Sequence, residues 1–86
     1  MQEFTFELSD PRGIHARPAG ILSKFLSRFA CDITIGAAED DQVNAKHLLE
    51  LMQLPLRQGD TLLMQFSGRD EVEAAEQTER FLSEHF

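Results

Sequence analysis

The sequence predicts an α+β fold: a two-layer sandwich in which a four-stranded antiparallel sheet carries three helices on one face, in the order β-α-β-β-α-β-α. Three observations predict it. Short runs in which apolar and polar residues alternate recur along the chain, as strands with one buried face require. Between them lie segments whose apolar residues return at helical spacing on one side only. The 86 residues are 42% apolar with seven phenylalanines, enough for one core, and no repeat, linker or low-complexity stretch divides them. Residues 1–86 therefore read as one domain.

The elements follow in order. Phe4, Phe6 and Leu8 alternate with polar residues and form the first strand. Asp10-Pro11-Arg12-Gly13 breaks that pattern as a turn. From Ala16 to Phe29 the period changes: Leu22, Phe25, Leu26 and Phe29 gather on one helical face, and Pro18 sits in the first turn, where its missing N–H breaks no intrahelical bond. Cys31, Ile33 and Ile35 alternate again and lead into the polar loop from Gly36 to Asp41. A short strand at Gln42-Val43-Asn44 precedes a short helix with Leu48, Leu49, Leu51 and Met52, stopped before Pro55. Gly59-Asp60 turns into a fourth strand with Leu62, Met64 and Phe66, which Gly68 closes. Asp70 followed by Glu73 resembles a helix start with a side-chain acceptor for the orphan amides, and Val72, Ala75, Leu82 and Phe86 mark the inner side of the final helix.

Charge and composition narrow the function. Eight basic against 15 acidic side chains leave a net charge of −7, which repels nucleic-acid phosphates and anionic lipid and favours basic protein surfaces as partners. The one cysteine, Cys31, has no internal disulfide partner and, beside Ile33, reads as a small core side chain in a reducing compartment. The N-terminus lacks a basic n-region, and no apolar run approaches the roughly 20 residues that span a bilayer. The expectation is a cytoplasmic protein without membrane insertion.

The chemistry concentrates in Gly13-Ile14-His15-Ala16-Arg17-Pro18-Ala19. His15 falls where a turn meets a helix N-terminus, and the first helical N–H groups there have no intrahelical acceptor and carry partial positive charge. A phosphoryl group on His15 would accept hydrogen bonds from the amides of Ala16 and Arg17, with the Arg17 guanidinium adding charge-assisted bonds. The same positive end disfavours an imidazolium and leaves a lone pair for attack on phosphorus, so the site requires no separate general base. A lone histidine at a helix start is more often a cap. Here, however, the segment follows a strand, lies in a glycine turn and opens an amphipathic helix.

This segment resembles the active-site signature of the HPr family, the histidine-containing phosphocarriers of the bacterial phosphoenolpyruvate-dependent sugar phosphotransferase system. The similarity extends through Asn44-Ala45-Lys46, Gly59-Asp60 and Gly68, Asp70 and Glu71, and so covers nearly the whole chain. It implies an open-faced sandwich, phosphorylation of His15 on Nδ1 by Enzyme I, transfer to an Enzyme IIA domain, Arg17 as phosphate-binding partner, and no cofactor. It also implies a docking surface around His15, for which Ala16, Gly20, Ile21, Lys24, Leu49 and Met52 are the candidates, with Arg17 and Lys24 as a basic rim. Because helical Leu and Met are ordinarily core residues, Leu49 and Met52 are equally candidates for the interior.

Two departures from the family pattern stand out. Where many members carry a regulatory serine directly after the lysine that opens the second helix, Lys46 is followed by His47, so no hydroxyl acceptor exists. His47 reads first as a surface histidine at a helix start, and as a second phosphoryl site or half of a metal site only against that background; His85 reads the same way. No cysteine or carboxylate cluster has metal-ligand spacing with any of the three histidines. Arg12 stands where a small polar residue is usual, either as a solvated turn arginine or as added positive potential beside a phosphohistidine. Competing readings are a regulatory or nitrogen-branch phosphocarrier, a domain of a multiphosphoryl transfer protein, and an unphosphorylated scaffold or metal-binding domain.

Overall fold

The computed structural model describes residues 1–11, 14 and 16–86; Arg12, Gly13 and His15 lie outside the described residues. The elements are β1 (Gln2–Glu7), α1 (Ala16–Leu26), β2 (Asp32–Gly36), β3 (Gln42–Asn44), α2 (Leu48–Met52), β4 (Thr61–Ser67) and α3 (Glu71–His85). The strands form one antiparallel sheet in the order β1-β4-β2-β3. Its register places Phe4 opposite Met64, Phe66 opposite Ile33, Met64 opposite Ile35, and Ile35 opposite Val43. Because side chains alternate along each strand, that register gathers these residues on one face. The helices bury that face with Leu22, Leu26, Leu51, Ala74 and Leu82. Phe4 stacks diagonally on Phe66 with ring centroids 5.6 Å apart, which ties the edge strand to its neighbour. Thr5, Thr34, Leu63 and Gln65 point to the opposite, open face.

Three expectations change in the structure. The first helix ends at Leu26 rather than Phe29. The chain beyond it tightens, with the amides of Arg28 and Phe29 donating to the carbonyls of Phe25 and Leu26, and Phe29 still enters the core from this turn. Asp70 occupies the N-cap of α3 but makes no side-chain cap. Its two oxygens instead accept the backbone N–H groups of Ala30 (2.8 Å) and Cys31 (2.9 Å), while Glu71 Oε1 accepts the amide of Gly68. The turn that leads from α1 into β2 thereby gains partners from an element far along the chain. Finally, Val72 is 53% exposed, and the inner side of α3 is made by Ala74, Thr78, Leu82 and Phe86 with Ala75 and Phe81 partly buried. The i, i+4, i+8 spacing of Ala74, Thr78 and Leu82 sets a buried phase that Val72 does not share.

Cys31 is buried, and burial first, then the Asp70 carboxylate, pushes its thiol up to about 11. Among the described residues no helix is long and apolar enough to cross a bilayer, and no three His, Cys, Asp or Glu side chains are grouped as a metal would require.

Candidate functional site

The segment entering the site is held by backbone hydrogen bonds from two other elements. Leu8 exchanges bonds with the β4 turn: its N–H reaches the Asp60 carbonyl at 2.9 Å, and its carbonyl accepts from Gly59 at 2.8 Å. Gly59 adopts φ +92, a left-handed conformation that favours glycine and lets its amide turn back toward Leu8. The main-chain oxygen of Phe86 then accepts the amides of Ser9 and Asp10 and the Ser9 hydroxyl. Past the turn, Ile14 is partly buried against the core, and Ala19, within the first helical turns, is fully buried. The backbone on both sides of the candidate nucleophile is therefore anchored, although His15 itself and its neighbours Arg12 and Gly13 lie outside the described residues.

α1 opens at Ala16 with no acidic residue in its first turn, where the leading amides have no intrahelical acceptor. Ala16 and Arg17 are exposed, and Pro18 lies in the first turn. Among the described residues the Arg17 guanidinium has no ion-pair partner. A cation with open valence beside unpaired amides can hold a tetrahedral anion bidentately.

α2 is set beside α1 by two side chains that the sequence did not single out for that role. Ser23 Oγ donates to the Lys46 carbonyl at 2.7 Å, and Lys46 Nζ donates to the Phe29 carbonyl at 2.7 Å. A small polar residue on the otherwise apolar side of α1, facing a lysine before the next helix, was the available signal for Ser23. These bonds and the complete burial of Leu51 fix the roll of a helix too short to choose a face by periodicity. The consequence is an exposed apolar set: Leu49 at 76% and Met52 at 46%, with Ile21 and Leu48 also exposed. Lys24 is exposed too, and Gly20 is half-buried; a Cβ there would meet nothing within 4 Å.

His47 is the N-cap of α2, with its ring Nδ1 2.7 Å from Glu50 Oε2. Glu50 Oε1 accepts the Asn44 amide at 3.2 Å, and these two contacts, that to His47 foremost, hold the Glu50 carboxyl below its ordinary value. His85 is exposed and its ring lies tilted against Phe81 with centroids 4.3 Å apart.

The fold defines a class: a small open-faced α+β domain, one antiparallel sheet with three helices on one face and exposed apolar side chains on α1 and α2. The comparisons with known proteins give the family. The model of the "PTS HPr component phosphorylation site" family matches residues 2–84. The phosphocarrier protein HPr of Mycoplasma genitalium is 38% identical over 74 residues, covering 86% of this chain and 84% of the relative. That of Lysinibacillus sphaericus is 37% identical over 84 residues, covering 98% and 94%. A solved structure of Thermoanaerobacter tengcongensis HPr superposes with a TM-score of 0.90 at 31% identity, covering 100% of this chain and 96% of the other. The chain belongs to the HPr family, and it is a phosphocarrier of the bacterial phosphotransferase system.

Proposed function

We propose that His15 carries the phosphoryl group, accepting it on Nδ1 from phospho-Enzyme I and delivering it to an Enzyme IIA domain during sugar uptake. The observation that carries this reading is the state of Arg17. It is the second residue of α1, exposed, without an ion-pair partner among the described residues, in a first turn that holds no carboxylate. The Nδ1 lone pair attacks phosphorus while the bond to the donor breaks. The guanidinium and the amides of Ala16 and Arg17 receive the oxygens as negative charge concentrates on them. Since these donors serve equally in the return direction, the carrier gives up the group as readily as it takes it.

Both partners meet the same face: Ala16, Gly20, Ile21 and Lys24 from α1, and Leu49 and Met52 from α2, with Leu48 beside them. Although the chain as a whole is acidic, the local apolar centre and basic rim of Arg17 and Lys24 suit acidic-rimmed partner surfaces, and the carrier acts in the cytoplasm without a cofactor.

Incubation with Enzyme I and phosphoenolpyruvate, followed by intact-mass measurement, tests the reading. The chain gains one acid-labile phosphoryl group, His15→Ala gains none through Enzyme I, and Arg17→Gln slows the transfer by about a hundredfold. Enzyme I-dependent phosphorylation that persists in His15→Ala, or a transfer rate unaffected by Arg17→Gln, refutes it.

A further inference from the structure

The fold decides which nitrogen of His47 carries the proton. At the end of β3, the Asn44 carbonyl accepts the His47 amide at 3.1 Å and Asn44 Oδ1 accepts the Lys46 amide at 2.9 Å, turning the chain so that His47 stands extended at the start of α2 (φ −100, ψ 111). Glu50 then divides its carboxylate between the Asn44 amide and His47 Nδ1. An ionised carboxylate only accepts, so the neutral ring keeps its proton on Nδ1 and its lone pair on Nε2. That Nε2 has no hydrogen-bond partner among the described residues, and the side chain is 64% exposed. The ring borders a surface hollow lined by Ser23, Lys46, Leu48, Leu49 and Glu50. Lys46 Nζ is committed to the Phe29 carbonyl and does not compete for the ring.

We propose that His47 is a second phosphoryl acceptor, taking the group on Nε2 from a phosphoramidate donor such as the protonated phosphohistidine of a partner protein other than Enzyme I. The Nε2 lone pair forms the new N–P bond as the donor's N–P bond breaks, and that electron pair returns to the donor nitrogen. The donor ring leaves as neutral imidazole. The His47 ring becomes positive, with its Nδ1–H still bonded to Glu50, whose charge balances the one that develops. This is the role a carboxylate plays behind a histidine in a catalytic pair: it orients the ring and stabilises the cation. With the ring positive, the modification changes the local charge by about −1 and places the anionic phosphoryl oxygens beside Leu48 and Leu49. It therefore disfavours an apolar contact there; this consequence, though not the acceptor chemistry, rests on the docking face proposed above.

The molecule contains its own comparator. His85 is also exposed, but its ring lies tilted against Phe81 and has no carboxylate partner among the described residues. The experiment treats the full chain carrying His15→Ala with inorganic phosphoramidate at about pH 8, above the ordinary histidine range. Site-resolved mass spectrometry gives the rates, and nitrogen and phosphorus NMR identifies the phosphorylated atom. His47 is expected to gain acid-labile phosphate on Nε2 roughly tenfold faster than His85, and Glu50→Gln to bring it to the His85 rate. Equal rates at the two histidines, modification of His47 on Nδ1, or an unchanged His47 rate in Glu50→Gln overturns the proposal. The ratio measured with Glu50 intact decides the question even where a Glu50 variant loses its fold. Because no Enzyme I is present, the outcome is independent of the His15 assignment.

Discussion

Leu51 and Met52 are consecutive residues of one five-residue helix, and opposite effects are expected from replacing them. Leu51 is 0% exposed, whereas Met52 is 46% exposed. Leu51→Ala removes about three methylene equivalents at about 0.8 kcal/mol each, or about 2.4 kcal/mol of transfer free energy. The cavity left between α1 and the sheet adds to this, for a total of about 3–4 kcal/mol. An 86-residue domain has roughly 4–13 kcal/mol to lose, so the variant is left marginal. Met52→Glu changes a half-exposed side chain and costs about 0.5–1 kcal/mol, but it places a carboxylate in the proposed docking face. Urea unfolding followed by far-UV circular dichroism is the appropriate assay, since the chain has neither Trp nor Tyr to report by fluorescence. With a slope of about 1–2 kcal/mol per molar, Leu51→Ala lowers the midpoint by about 2 M, and Met52→Glu by under 1 M. Phosphorylation by Enzyme I, measured on the folded fraction, falls for Met52→Glu. A Leu51→Ala loss below about 1 kcal/mol, or a Met52→Glu loss above about 2 kcal/mol, refutes the assignment of the inner and outer faces of α2.

Three further outcomes are expected. Gly20→Ala fills space that is open to 4 Å within a helix, so it raises stability by about 0.5–1 kcal/mol in thermal unfolding while slowing transfer from Enzyme I, because the added methyl holds the partner away. The Ala30 amide foremost, with Cys31, depresses the Asp70 carboxyl below its ordinary value of 3.8. Its contribution is therefore present above that pH and lost as pH falls through the depressed folded value; Asp70→Ala is less stable at neutral pH and has a flatter urea midpoint between about pH 5 and pH 2 than the parent chain. Cys31, with its thiol pushed up to about 11, resists alkylation at about pH 8 until urea unfolds the domain, and labelling kinetics that ignore the unfolding transition contradict its burial.

Much of the fold was legible in local pattern. Alternation at Phe4 and Phe6, at Ile33 and Ile35, and at Leu62, Met64 and Phe66 encodes strands, because a pleated backbone turns every second side chain to the same face. The spacing of Leu22 and Leu26 encodes α1 for the corresponding reason. The proposed chemistry of the histidine-arginine-proline segment was legible because it depends on a helix N-terminus, which is a local feature, and α1 does open at Ala16. The sequence alone thus determined the element order and the inward and outward alternation of the strands.

Tertiary structure decided what depends on residues distant in the chain. Whether Asp70 caps its own helix or the amides of Ala30 and Cys31 turns on how close α3 comes to the end of α1, and the local pattern of Asp70 and Glu73 suits either. Which of four apolar residues in α2 enters the core is equally indeterminate over a helix shorter than two turns. The tether from Glu50 to Asn44 and the bond from Ser23 to Lys46 set its roll, sending Leu51 inward and leaving Leu49 and Met52 outward. The same tether orients the His47 ring. Periodicity reports only how a segment partitions between water and core; the destination of each orphan amide and carboxylate is settled when the packed layers bring partners within hydrogen-bond reach.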